Sequence, residues 1–258
     1  MAKPRKIAFI NQKGGTCKTT LAVNTAAFFA NKGKRVLLVD LDTQGHAGKS
    51  LGIDVRTLPR NVFHWLTDDA MPLSSVAHAT AVNGLFVVPS YKQMAEFPVE
   101  VAQRKGKERL LANRVEQALA TGYDFVIFDA PPSLGLTHTN ILLAAEEVVI
   151  PVATTYLALD GCAEMTETVK ETADRHGHGS LHISLVVPTM YRKTALADEV
   201  VSKLTSYFPG KVAREPLAFN VTIDEAQSHG KTIWEHAPWS RGATLLQRIA
   251  EDIDKAGR

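Results

Sequence analysis

Eight residues, Lys13 to Thr20, constrain this chain more than any other stretch; they read K-G-G-T-C-K-T-T. An apolar run, Ile7 to Ile10, precedes them and reads as a short buried strand. The run L-A-V-N-T-A-A-F-F-A follows, and its apolar spacing and alanine content predict a helix. A strand, a glycine-rich turn and a helix opening on Lys-Thr form the arrangement that cradles phosphate. Glycines let successive backbone N–H groups curl inward around an anion. The helix N-terminus adds its partial positive charge. Lys18 is placed to bring a full charge to the β- and γ-phosphates of a nucleotide, and the Thr19 hydroxyl to ligate Mg²⁺. The expected ATP contacts are therefore Gly14, Gly15, Thr16, Cys17, Lys18, Thr19 and Thr20. The stretch departs from G-x-x-x-x-G-K-[ST] twice: an extra lysine, Lys13, stands five residues before Lys18, and Cys17 replaces the last glycine.

Two further apolar runs end in acids. Arg35 to Asp40 (R-V-L-L-V-D) reads as a buried parallel strand, with Asp42 two residues beyond it. Tyr123 to Asp129 (Y-D-F-V-I-F-D) reads the same way. Acids at the carboxyl ends of such strands lie where open α/β sheets bind ligands. Beside a phosphate loop, Asp129 can hold Mg²⁺ through water.

The remaining chain reads as alternating elements. A short helix capped by Asn61, a strand from Leu85 to Pro89 and a polar surface crossover from Ser90 to Lys107 come first. Helices at 107–120, 136–145, 161–176 and 195–208 alternate with strands at 148–151 and 183–187. G-H-G at Gly177 to Gly179 reads as a solvated loop. The final helix, 244–255, carries Leu245, Leu246, Ile249 and Ile253 at helical spacing, a core-facing stripe.

The 258 residues suit one α/β domain spanning 1–258, long enough to bury a substantial core. A net charge of +2 excludes a general nucleic-acid coat, so DNA contact would need a local patch. Two cysteines, Cys17 and Cys162, give no disulfide framework and fit a reducing cytoplasm. The start carries no signal-peptide pattern, and no run approaches the ~20 apolar residues of a membrane span.

N-Q-K-G-G-x-x-K-T-T resembles the deviant Walker A loop of the ParA/MinD ATPases. The likeness continues through D-L-D-T-Q-G-H, where relatives carry D-L-D-P-Q-G-N, then D-A-P-P-S-L-G and Y-L-A-L-D-G. It goes on through P-T-M-Y-R-K-T-A-L, A-F-N-V-T-I-D-E-A-Q-S-H-G-K and H-A-P-W-S-R-G-A, and so covers Lys6 to Ala243. Relatives read P-R-N-V-R-L-S-E-A-P-S-H-G-K in the second of these, so Phe219 and Thr222 replace two arginines. The resemblance implies a P-loop NTPase fold of the deviant Walker type: a twisted, mostly parallel sheet with helices on both faces. It implies catalytic roles for Lys13, Lys18 and Asp42, with Lys13 reaching the partner's phosphates across an ATP-sandwich dimer and Asp42 positioning the attacking water. It implies ATP contacts from Lys13 and Met190 as well, with Mg²⁺ at Thr19 and Asp129. Arg192, Lys193, Lys211 and Arg214 are candidate DNA contacts.

The function so implied is a slow ATPase that binds Mg·ATP, forms a homodimer and binds DNA without sequence preference on the nucleoid. It would position a cargo, and a ParB-like or adaptor protein would stimulate it. No helix-turn-helix extension precedes Lys6, so operator-specific repression is not expected. A MinD-like membrane-cycling ATPase and a hydrolysis-impaired nucleotide-locked scaffold are the alternatives. The acidic, mixed tail speaks against membrane attachment. At Cys17, a helix N-terminus beside Lys18 favours a reactive thiolate, and the alternative is a tolerated small residue with a buried, unreactive thiol.

Overall fold

The structure is a computed structural model and describes residues 3–156 and 158–257. Leu157, inside the Y-L-A-L-D-G motif, lies outside the described residues, as do Met1, Ala2 and Arg258. The first half holds β1 (Arg5–Phe9), α1 (Lys18–Asn31), β2 (Val36–Asp40), α2 (His46–Ser50), α3 (Val62–Thr67), β3 (His78–Ala79), β4 (Leu85–Val88) and α4 (Phe97–Glu100). Then follow α5 (Leu110–Leu119), β5 (Phe125–Asp129), α6 (Leu136–Ala144), β6 (Glu147–Ala153), α7 (Ala158–His176) and β7 (His182–Thr189). The chain closes with α8 (Ala195–Tyr207), α9 (Val221–Ser228), α10 (Ile233–His236) and α11 (Arg241–Ala256).

Among the described residues the strands form one seven-stranded sheet in the order β3-β4-β2-β5-β1-β6-β7. The two-residue β3 pairs antiparallel, and every other pairing is parallel. All five residues of β2 and of β5 are buried, as strands covered on both faces must be. Helices cover both faces. One face packs Ile7, Phe9, Leu38 and Ile127 against α1 and α11. The other packs Ala8, Leu37, Val126 and Val148 against side chains of α3, α5, α6 and α7. The expected stripe on the last helix is spent in this core: Leu245, Leu246, Ile249 and Ile253 are buried. Among the described residues no helix is long and apolar enough to cross a membrane.

The strand order positions the site. β1 lies beside β5, and β5 beside β2, with Phe9 opposite Asp129 and Asp40 opposite Asp129. The loop leaving β1 and the acids ending β2 and β5 therefore meet at the carboxyl end of the sheet's three central strands.

One expected element is corrected. Ser90 to Lys107 is not a polar surface crossover. It folds into a 3₁₀ turn and α4, and Met94, Phe97 and Val101 point into the core. Their spacing is helical, but it is split over two pieces too short to show a period. Asn61 does cap α3, in a box closed by the His64 side chain.

Candidate functional site

The segment from Asn11 to Cys17 is held at both ends. Asn11 Nδ2 donates to Pro151 O at 2.7 Å, and its Oδ1 accepts the Lys13 N–H at 3.0 Å. Further along, Thr189 Oγ1 donates to Thr16 O at 3.1 Å. Gly15 adopts φ 70°, a left-handed angle that glycine reaches at no cost. Cys17, at the start of α1, adopts φ 64°, which costs a side-chain-bearing residue about 1–2 kcal/mol.

The loop faces a cavity of about 720 Å³, lined by Gly14 through Thr20, Asp42, Gln44, Pro132 and Gln227 among others. Lys18 is buried, and its Nζ donates to Lys13 O at 3.0 Å. Burial lowers its pKa, while the charges of Asp129 and Asp42 pull the other way. Thr19 Oγ1 donates to Asp129 Oδ2 at 2.6 Å. Asp129 is fully buried, and its Oδ1 has no hydrogen-bond partner among the described residues. Burial pushes its carboxyl up to about 7; the Thr19 bond and Lys18 oppose the rise, and Asp42 adds to it. Asp40, its neighbour in register, is also raised, by burial first and then by the charge of Asp129.

Two buried carboxyls beside one lysine leave the site short of positive charge. A hydroxyl and an orphaned carboxylate oxygen there suit a hard divalent cation that keeps part of its water shell. Thr19 and Asp129 thus fit the expected Mg²⁺. Asp40, which the sequence reading passed over as a strand terminus, organises the next loop. Its Oδ1 accepts the Asp42 N–H at 3.0 Å and its Oδ2 the Ala47 N–H at 3.1 Å. Asp42 Oδ1 accepts the Gln44 N–H at 3.0 Å. Gly45 closes the turn at φ 63°, where an added Cβ would stand 2.4 Å from Ser90 O.

Lys13 is not brought to this cavity. It lines a second one of about 250 Å³ with Asn11, Thr155 and Met190. Its side chain lies on Gly161, where an added Cβ would stand 2.7 Å from Lys13 Cε. Met190, at φ 53°, also borders a small cleft with Cys17, Thr20, Phe219 and Asp224. Of the two states open to the Cys17 thiol, the surroundings favour the unreactive one. Burial, with Asp224 second, pushes it up to about 11, outweighing Lys18.

The four candidate DNA contacts do not form one patch. Arg192 and Lys193 follow the carboxyl end of β7, and the Arg192 guanidinium lies 5.0 Å from the centre of the Phe219 ring. Lys211 sits near the other end of that strand, donating to Ile183 O at 3.0 Å. Arg214 is ion-paired, its Nε 2.5 Å from Asp252 Oδ1 on α11. At the G-H-G loop, His178 Nε2 lies 2.7 Å from Ala145 O. Among the described residues no group of three or more His, Cys, Asp or Glu is placed to hold a metal ion.

A buried lysine, a hydroxyl and strand-end acids around a glycine loop, on a doubly wound sheet, define a P-loop nucleotide-binding protein. Comparison with known proteins narrows the class. A family profile described as an AAA domain matches residues 4–183. The chain is 42% identical over 254 residues to the chromosome-partitioning ATPase Soj of Thermus thermophilus, covering 98% of this chain and 96% of that one. It is 40% identical over 252 residues to the sporulation initiation inhibitor protein Soj of Bacillus subtilis, covering 97% and 98%. A solved structure of cobyrinic acid a,c-diamide synthase from Mycobacterium smegmatis, with bound ATP analog and magnesium, superposes with a TM-score of 0.84. It is 29% identical, and 99% of this chain and 97% of that one are covered. The chain belongs to the Soj/ParA family of chromosome-partitioning ATPases.

Proposed function

We propose that the protein binds Mg·ATP in the loop cavity, dimerises around it and hydrolyses it slowly. The observation that carries this reading is that Lys18, Thr19 and Asp42 line one cavity large enough for a nucleotide, with the buried Asp129 bonded to Thr19 behind it. Lys18 exchanges its bond to Lys13 O for phosphate oxygens. Thr19 and Asp129 would hold Mg²⁺, which would supply positive charge beside the β- and γ-phosphates. Asp40 fixes the loop that carries Asp42, and Asp42 orients the attacking water. Met190, which borders the same small cleft as Cys17, contacts the ATP. Lys13 leaves its place on Gly161 and meets the phosphates of a second copy.

In this reading the ATP dimer binds nucleoid DNA through Arg192 and Lys193, two weak patches adding to one useful affinity. A ParB-like or adaptor protein accelerates hydrolysis and release, so that a cargo is positioned. Calorimetric titration with Mg·ATP, followed by phosphate release with and without DNA, tests it. Micromolar binding and slow turnover are expected. Binding without any turnover would leave a nucleotide-locked scaffold instead.

A further inference from the structure

Gln227, on α9, lies on the wall of the loop cavity, and its Nε2 donates to Thr20 Oγ1 at 3.0 Å. The segment around it is fastened independently. Asn24 Oδ1 accepts the Ile233 N–H at 3.1 Å. Gly230 rests on Gly52 so closely that a Cβ there would stand 2.8 Å from Gly52 Cα. Gln227 is therefore presented to α1 by these anchors after it and by the buried Ile223 and Ala226 before it.

Thr20 stands in the first turn of α1, where an anion meets the helix N-terminus. A hydroxyl carries one hydrogen and two lone pairs. With its oxygen accepting from an amide, the hydrogen is directed elsewhere, and the bond it donates is strengthened. We propose that Gln227 is a positioning residue for the nucleotide. Its N–H holds Thr20 Oγ1, so that the Thr20 O–H is aimed at a phosphate oxygen. In the ParA pattern E-A-P-S-H-G-K the same place is a proline, which has no such donor; here it is glutamine. The device thus ties α9 to the phosphates in this chain. It rests on the nucleotide reading above.

The test is a set of calorimetric titrations with Mg·ATP and with inorganic tripolyphosphate. The proteins are wild type, Gln227→Met, Thr20→Val and the double variant, with folding checked by circular dichroism. Gln227→Met keeps the length of the side chain and removes its donors. It should weaken both ligands alike, by about fivefold, the effect of one ordinary hydrogen bond. Thr20→Val should cost more, and adding Gln227→Met to it should cost nothing further. In a Thr20→Ser background, which restores the hydroxyl, the fivefold effect should return. Wild-type affinity in Gln227→Met, or an undiminished penalty in the double variant, would overturn the proposal. A loss confined to ATP would also overturn it, because Gln227 would then read the base. Wild type that binds neither ligand refutes the nucleotide reading itself, and is told apart from wild type that binds and ignores the change at Gln227.

Discussion

At the loop cavity, Lys18, Asp40 and Asp129 are buried together, and their charges are incompletely matched. At the basic surface, the charges lie at the rim and some are already engaged: Arg214 by Asp252, Lys211 by a backbone carbonyl. Burial makes a charge costly unless a partner arrives, so the first region is poised to bind a charged ligand. Solvent screens the second, so single residues there contribute little and affinity must come from their sum.

Lys18→Ala should have the largest effect. The phosphates lose a buried cation, and Mg·ATP affinity should drop at least about a hundredfold by calorimetry, the scale of a charge-assisted bond in a dry site. An unchanged affinity would mean that the loop is misplaced.

The two buried carboxyls predict a pH dependence of stability. Both titrate above the ordinary carboxylate range. Between about pH 4 and about 7 the folded chain therefore holds protons that the unfolded chain has lost. Stability falls as pH rises through that window, in the absence of Mg²⁺. Asp129→Asn removes the penalty and should melt several degrees above wild type at pH 8, with the gain fading near pH 4.5. A lower melting temperature at pH 8 would show that the acid is satisfied.

The basic surface calls for a paired test. Lys193→Glu should weaken ATP-dependent DNA binding by about tenfold and flatten its salt dependence. Arg214→Glu should leave DNA affinity closer to wild type and cost stability instead, since Asp252 then faces a like charge. If Arg214→Glu proves the more damaging to DNA binding, the patch lies elsewhere on the surface.

Cys17→Gly is the smallest change. Glycine relieves the left-handed backbone, a gain of about 1 kcal/mol, and should shift ATP affinity by less than about tenfold. The raised thiol predicts slow maleimide labelling, with about a hundredfold less thiolate than an ordinary cysteine at neutral pH. Rapid labelling at pH 7 would contradict the raised thiol.

Much of the fold was legible because buried parallel strands write themselves as continuous apolar runs, as in V-L-L-V-D and F-V-I-F-D. Their terminal acids and the glycine loop are local signals, and strand order alone brings them together. Met94, Phe97 and Val101 were missed because their helical period is broken by a change of helix type. Lys13 lies against Gly161, 148 positions away, and no local pattern encodes that contact. Gln227 reaches Thr20 across 207 positions and showed itself in the sequence only as a departure from proline. The ion pair at Arg214 depends on how α11 docks, so basic composition overstated the free charge available there.

The central claim is that Asp42 directs hydrolysis at a cavity whose phosphate contacts stand without it. The most direct test compares wild type and Asp42→Ala in Mg·ATP, following phosphate release and particle size on one sample. Asp42→Ala should retain ATP, lose at least about a hundredfold in turnover, as when a group acting on the transition state is removed, and persist as a dimer. Unchanged turnover, or a variant that stays monomeric with ATP bound, would contradict the account.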